Sequence, residues 1–398
     1  MSEPQFEIAV VGAGAAGLCA ALAFARDGYR TALVGSPGAR RDGRTVALLG
    51  GSVRFLEALG VWPAIASDAA PLRTMRLVDD TGSLFRPPPV AFAAGEIGLD
   101  AFGWNVENAA LVEHLARAAL ATERLSLIPG QATGLDLRDD SVAIALGDGG
   151  PVTALLAVAA DGRDSKLRRA AQIAVRTWSY PQAALTTILA HEREHRETST
   201  EFHTRQGPFT LVPLPGRRSS LVWVTSPARA EELSARPDEA LALAVERQSQ
   251  SMLGQMRVDG PRGTVPLSGL SVDRYWSPRL ALVGEAAHVF PPIGAQGLNL
   301  GLRDVAALRD AVVDSDDPGG DTTLQAYQRG RDLDVSLRSA AVDGLNRTLL
   351  SDFLPADFLR GAGLLAISTI GPLRRAVMRE GVQPRLGAPR LMRDPPDR

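Results

Sequence analysis

The hydrophobic pattern changes period twice near the start of the chain. Phe6-Glu-Ile-Ala-Val-Val11 is a short apolar run that predicts a buried strand. Leu18 to Asp27 has helical spacing and stops at Gly28, and Arg30-Thr-Ala-Leu-Val34 predicts a second strand. Two more apolar runs, Leu155 to Ala160 and Leu280 to Val283, read as strands that each lead into a small-residue segment. The middle of the chain reads differently. Ala183 to Ala190 is β-branched, Ser199 to Thr204 alternates, and Phe209 to Leu214 predicts a further strand. Arg73 to Val78 and Gly82 to Phe85 predict a hairpin, and Thr322 to Arg379 returns to helical spacing. The chain is therefore of the α/β class, with one βαβ unit and one mostly antiparallel region.

Between the first two strands stands Gly12-Ala-Gly-Ala-Ala-Gly17, a G-x-G-x-x-G that follows a strand and opens a helix. That context is what a dinucleotide fingerprint requires. Gly12 permits a tight turn, Gly14 lets the backbone approach a pyrophosphate, and Gly17 lets helix and strand pack closely. Ala13, Ala15 and Ala16 keep the turn small. The second strand ends in Gly35 and Ser36, where such units usually place an acid for the ribose hydroxyls. Ser36 or the Arg40, Arg41, Arg44 cluster must serve instead, although Arg40 and Arg41 also read as a solvated basic loop.

Composition narrows the picture only slightly. The 398 residues carry 45% hydrophobic and 22% charged residues with a net charge of −2, which gives no electrostatic reason to expect nucleic acid. Cys19 is the single cysteine, so no internal disulfide can form; inside the predicted helix it reads as packing. The first residues lack a secretory signal, and the late apolar stretch Gly361 to Leu373 is shorter than the roughly 20 residues that span a bilayer. His191-Glu-Arg-Glu-His195 fits H-E-x-x-H, a zinc-protease signature. Its flanking runs place it between strands as a polar hairpin tip, and His203 does not match the extended zinc spacing. No metal site is expected.

The later small-residue segments point to a long cofactor. Asp161-Gly-Arg-Asp-Ser165 follows one strand; Gly284-Glu-Ala-Ala-His288 and Pro291-Pro-Ile-Gly-Ala-Gln-Gly-Leu-Asn299 follow another. Asp161 and Glu285 could accept hydrogen bonds from ribitol hydroxyls. A helix starting at Asn299 would favour negative charge on a reduced flavin.

Together these segments resemble the single-component flavoprotein aromatic hydroxylases related to p-hydroxybenzoate hydroxylase, and more closely the ubiquinone-biosynthesis hydroxylases of the UbiH/UbiF type. The closer match rests on Arg44 to Leu48, Ser52 to Gly60, Val106-Glu-Asn108, Gly207 to Leu214 and Ala295 to Asp304. It runs in order from about Phe6 to Arg379. The family's usual aspartate after the late strand is Glu285 here, and its A-G-Q-G loop is Gly294-Ala-Gln-Gly297.

The resemblance implies a Rossmann-like FAD-binding domain (1–72, 101–176 and 273–313) and a discontinuous, mostly antiparallel substrate domain (73–100 and 177–272). A C-terminal helical region (322–379) would follow, and the proline- and arginine-rich composition of 380–398 predicts a disordered tail. The resemblance implies FAD held by Gly12 to Gly17, Ser36, Arg44, Asn108, Asp161, Gly162, Glu285 and Gly294 to Asn299. Gly162, Gln296 and Leu298 enter only through this likeness. His288 is a candidate for moving protons, with a structural role as the alternative. Tyr180, Phe209, Trp223 and Phe290 could wall a pocket or be ordinary core.

The implied reaction is hydroxylation of a polyprenylated phenol through a flavin C4a-hydroperoxide. NAD(P)H or another donor would be a transient reductant and O₂ a co-substrate. Implied partners are other ubiquinone-biosynthesis proteins and the inner-membrane surface, with the chain cytoplasmic and peripheral. The arginine-flanked, apolar region Leu345 to Met378 could rest on that surface or pack on the flavin domain. The alternatives are a hydroxylase for a small soluble phenol and a catalytically silent flavoprotein scaffold.

Overall fold

The computed structural model describes residues 4–38, 42–82, 88–291, 296–332, 371–382 and 387–393. One sheet grows from the opening unit. Its parallel core runs β19 (Leu280–Leu282), β11 (Val152–Ala159), β1 (Phe6–Val11), β2 (Thr31–Val34), β8 (Leu125–Ile128). β18 (Trp276–Ser277) pairs antiparallel with β19, while β10 (Val142–Leu146) pairs with β11 and with β9 (Ala132–Leu137). β1 and β2 are buried along most of their length, as strands covered on both faces should be. Helix α1 (Ala15–Arg26) buries ten of its residues between this sheet, α4 (Asn108–Leu120) and α8 (Gln296–Val313).

The second sheet is long and almost wholly antiparallel. Its order is β20 (His288–Val289), β17 (Gly263–Val272), β12 (Val175–His191), β15 (Arg218–Thr225), β14 (Gly207–Leu214), β13 (Thr198–Thr204), β5 (Thr74–Asp79), β6 (Val90–Ala93). β16 (Met256–Val258) joins the end of β12, and β13 with β5 is its parallel pair. One face carries Leu185, Phe202, Phe209, Leu221 and Trp223 under α6 (Pro227–Ala235) and α7 (Asp238–Gln248). The opposite face turns to a small bridging sheet of β3 (Thr45–Leu49), β7 (Gly103–Glu107) and β4 (Ala69–Pro71). Two bonds stitch this junction: Thr45 Oγ1 donates to Ser220 Oγ at 2.8 Å, and Asn105 Nδ2 donates to Pro213 O at 2.9 Å. Short helices α2 (Gly50–Ala58), α3 (Trp62–Ala66) and α5 (Lys166–Ala170) complete the packing.

Several expectations change here. The partner of β5 is β6 rather than Gly82 to Phe85, of which residues 83–85 lie outside the described residues. His191 to His195 is not a hairpin tip. It leaves the end of β12 and leads to β13, and β15 and β14 separate those two strands in the sheet. Helix α8 begins at Gln296, a turn before the expected Asn299. The tail is not disordered throughout. Arg390–Met392 forms a short helix on α2 and α8, Met392 is 2% exposed, and Arg390 pairs with Asp310 and Asp314. Proline and arginine content signalled a solvated tail; one methionine finding an apolar slot reversed that locally. Of the expected C-terminal helices, residues 321–332 and 371–382 are helical, and 333–370 lie outside the described residues. Among the described residues no helix is long and apolar enough to cross a membrane.

Candidate active site

The three glycines of the fingerprint do two different jobs. Gly12 has φ +111°, and a Cβ there would stand 2.2 Å from Ala160 O at the tip of β11. A Cβ on Gly17 would stand 1.8 Å from Gly12 O. Both are demanded by packing. Gly14 is exposed, has an ordinary φ of −78°, and a Cβ on it would meet nothing within 4 Å. The space over Gly14 is therefore open. Gly14 is also the N-cap of α1, with no side-chain cap and no acid in the first turn. The uncapped N–H groups and the open space above them suit an anionic pyrophosphate. Gly35, at φ +138°, closes one side, since a Cβ there would lie 3.2 Å from Ala13 N; Ser36 beyond it is exposed.

The far edge is built by loops after β11 and β19. Asp161 Oδ2 accepts from the backbone N–H of Lys166 at 2.8 Å and of Leu167 at 3.2 Å, so this carboxylate caps α5. Gly162 follows at φ +81°. Arg168, 4% exposed, donates to Arg163 O at 2.9 Å and Ala286 O at 2.7 Å, bracing the two loops against each other. Burial lowers its pKa, against the raising influence of Asp161. Glu285 is exposed between the buried Gly284 and Ala286. Gly284 sits 3.1 Å from where a Cβ on Gly301 would be, and a Cβ on Gly284 would meet Ala16 at 3.4 Å. The fingerprint helix, the Glu285 loop and α8 thus touch through small residues.

Asp304 of α8 anchors this loop. It is wholly buried and accepts from Gly284 N at 2.8 Å, His288 Nε2 at 2.6 Å and Arg331 Nε at 2.7 Å. Burial alone would raise its carboxyl. The His288 and Arg331 charges and the bonds from His288 and Gly284 outweigh that, so its pKa lies below the ordinary value. His288, itself 2% exposed, is spent on this anchor and is not presented to a reactant. The proton-moving role considered for it is thereby replaced by a structural one. Sequence reading assigned no anchoring role to Asp304, Gly301, Arg168 or Arg331. The available signal was a glycine and an aspartate three residues apart on the face of an otherwise apolar helix.

Asn299 behaves similarly. Its Oδ1 accepts from Leu49 N at 2.9 Å and Ser52 Oγ at 2.7 Å, and its Nδ2 donates to Ala47 O at 2.8 Å. That side chain is committed to the β3–α2 connection; its expected cofactor contact can come only through backbone. Gly297 is exposed and Leu298 half-buried, while the Gln296 side chain, Gly294, Ala295, Arg40 and Arg41 lie outside what is described. Arg44 and Asn108 are brought together by Asn108 N donating to Arg44 O at 3.0 Å, but the Arg44 guanidinium pairs with Asp42 at 2.7 Å.

Phe209 and Trp223 stack edge-on at 5.0 Å beneath α6 and α7, on the face away from β3; Phe209 is core, and Trp223 lines a pocket with Arg229 and Arg247 of those helices. Tyr180 packs by Ala184 and Val224 on the other face, and Phe290 lies 5.3 Å from the His288 ring. In the H-E-x-x-H segment every ring nitrogen is occupied: His191 by Arg193 O and Ser219 Oγ, His195 by Leu214 O and Glu197 N. Burial first of all lowers the His191 pKa. Cys19 is 1% exposed, and burial pushes its thiol far up, which makes it inert.

A Rossmann-type cradle, a second segment bracing it and a long antiparallel sheet form the framework of an FAD-dependent aromatic hydroxylase. Residues 5–336 match the family described as FAD binding domain, and the chain belongs to that family and to its ubiquinone-hydroxylase branch. It is 36% identical to the ubiquinone hydroxylase UbiL of Rhodospirillum rubrum, covering 98% of this chain and 93% of that one. It is 31% identical to the 3-demethoxyubiquinol 3-hydroxylase of Escherichia coli, covering 95% and 99%. In fold it is similar to p-nitrophenol 4-monooxygenase PnpA of Pseudomonas putida, at a TM-score of 0.79, 17% identity, and coverage of 96% and 100%.

Proposed function

We propose that this chain hydroxylates the aromatic ring of a polyprenylated phenol on the route to ubiquinone, using FAD, with NAD(P)H as transient reductant and O₂ as co-substrate. The observation that carries this reading is the chain-long identity to two proteins named as ubiquinone-type ring hydroxylases, 36% and 31%. The open cradle at Gly14 supports the cofactor. When bound, the flavin supplies the two-electron reduction and the transfer of one oxygen atom from O₂ to the ring.

The protein's part is binding, placement and exclusion of water. The N–H groups after Gly14 hold the pyrophosphate, and Glu285 accepts from ribitol hydroxyls. Gly297 and Leu298, at the start of α8, give N–H groups to the ring edge. Asp304 keeps the Glu285 loop and α8 in register. The face of the second sheet that carries Ser220 closes over the ring, with Thr45 and Asn105 fixing the gap. A prenylated substrate partitions into lipid, so the enzyme works from the cytoplasm at the inner-membrane surface, near other proteins of the pathway.

Complementation of strains that each lack one ubiquinone ring hydroxylase tests the reading. Rescue of one strain, with yellow protein whose NAD(P)H oxidation is coupled to a hydroxylated prenylphenol, is expected. No rescue, together with equal turnover of tail-free phenols, would point to a soluble-phenol hydroxylase. Colour without any turnover would point to a scaffold.

A further inference from the structure

β13 carries a carboxylate–imidazole pair that has no part in the cofactor site. Glu201 and His203 flank Phe202, which belongs to the core under α6 and α7. Alternation along the strand puts their side chains on the opposite face. Ser220, bonded to Thr45 and Asn105, marks that face as the one toward the flavin side. Cross-strand register places Val222, Thr210 and Glu201 in one row there, each partly exposed.

His203 Nε2 lies 2.8 Å from Glu201 Oε1, and Thr210 Oγ1 donates to Glu201 Oε2 at 3.3 Å. With the carboxylate accepting, Nε2 holds the ring proton and a neutral imidazole keeps its lone pair on Nδ1. No described hydrogen bond uses Nδ1. An acid that orients a histidine whose other nitrogen is open is the arrangement of a general base. Among the described residues, the other charged groups around this imidazole are engaged elsewhere. Asp79, opposite it on β5, holds Thr81; Asp80 holds Gln248; Arg205 donates to Thr81 O.

We propose that His203, oriented by Glu201, is the base that takes the hydroxyl proton of the bound phenol before its ring is oxygenated. This deepens the functional reading above and rests on it. The O–H bond of the ring hydroxyl breaks, its proton bonds to Nδ1, and the electron pair stays on the ring oxygen. From there it enriches the ortho and para carbons that receive oxygen; the oxygen atom and the electrons for the reaction come from O₂ and NAD(P)H. The imidazolium so formed is stabilised by the Glu201 carboxylate and returns its proton to solvent before the next turnover.

The test uses the full-length, FAD-loaded protein with His203→Gln and Glu201→Gln. The substrates are a prenylated phenol and its ring-fluorinated, more acidic analogue. In the wild type, the ultraviolet difference spectrum of bound phenol should show phenolate, and the hydroxylation rate should rise with pH. His203→Gln should retain FAD and KM, lose the phenolate band at neutral pH, and lower kcat about 100-fold or more, the ordinary range for a removed base. It should recover at high pH and with the fluorinated phenol, which ionises unaided. Glu201→Gln should fall between the two. An unchanged spectrum and pH profile in His203→Gln would overturn the proposal, as would an equal loss with both phenols at every pH. A wild type that hydroxylates neither phenol sinks the functional reading itself.

Discussion

On the nucleotide side, the first sheet makes its site from backbone and from missing side chains. Gly12, Gly14, Gly17, Gly284 and Gly301 let chain segments touch or leave space, and one buried carboxylate, Asp304, holds the assembly. On the antiparallel side, the second sheet makes its site from side chains that protrude: Glu201, His203 and Thr210, drawn from neighbouring strands. The difference follows from the ligand each faces. A pyrophosphate is recognised alike by any free N–H row, whereas a particular ring needs particular groups at particular heights. Substitutions should therefore be felt as folding or cofactor loss on the first side and as chemistry on the second.

The sharpest way to break this comparison lies within the fingerprint. Gly17→Val drives a Cβ to 1.8 Å from a backbone oxygen and should prevent recovery of folded protein, a loss beyond the roughly 4–5 kcal/mol that marks exceptional substitutions. Circular dichroism and yield check it. Asp304→Asn should come next, destabilising by about 3–5 kcal/mol in a denaturant titration because the buried Arg331 guanidinium loses the carboxylate it donates to. Its pH signature has a fixed sign. The folded carboxyl lies below the ordinary value near 3.9, so its contribution is complete above that pH and is lost as pH falls through the folded value. The wild type should therefore lose stability more steeply below about pH 4 than Asp304→Asn does.

Smaller effects sharpen the same contrast. Glu285→Ala should leave the fold intact and raise the FAD dissociation constant roughly 10–150-fold, the worth of a charge-assisted hydrogen bond. Gly14→Val should also fold, since its space is open, yet release FAD by filling the cradle. Flavin fluorescence on dilution reads both, and full occupancy in either would count against the assigned pyrophosphate and ribitol positions. The mildest change is His195→Ala, which removes hydrogen bonds to Leu214 O and Glu197 N, each worth about 1 kcal/mol. FAD content and turnover should be untouched; a loss of bound zinc and of activity together would revive the metal reading.

How far the sequence could be read depended on the range of the interactions. The βαβ opening, Gly12 and Gly17 were legible because a strand, a turn and a helix in one continuous stretch fix each other's geometry. The partner of His288 was not legible, because nothing local tells a histidine that Asp304, sixteen residues on, will bury it. The side-chain role of Asn299 was missed for the same reason: its partners, Ala47, Leu49 and Ser52, stand far back in the chain. The tail shows the converse, since its composition argued for solvent and Met392 found a slot on α2 and α8.

The sequence by itself determined the α/β class, the cradle and the flavin chemistry. The class and the cradle rest on periodicity and on glycines whose need is set by neighbours a few positions away; the flavin chemistry rests on the likeness to a known family. Tertiary structure alone decided which polar groups became anchors and which remained open. It tied His191 and His195 into backbone contacts, sealed His288 with Arg331 around Asp304, and turned Glu201 and His203 toward the face that Ser220 shares with Thr45. The physical reason is that a polar group's fate is fixed by burial and by partners, and in this chain those partners arrive from strands and helices that only the fold brings together.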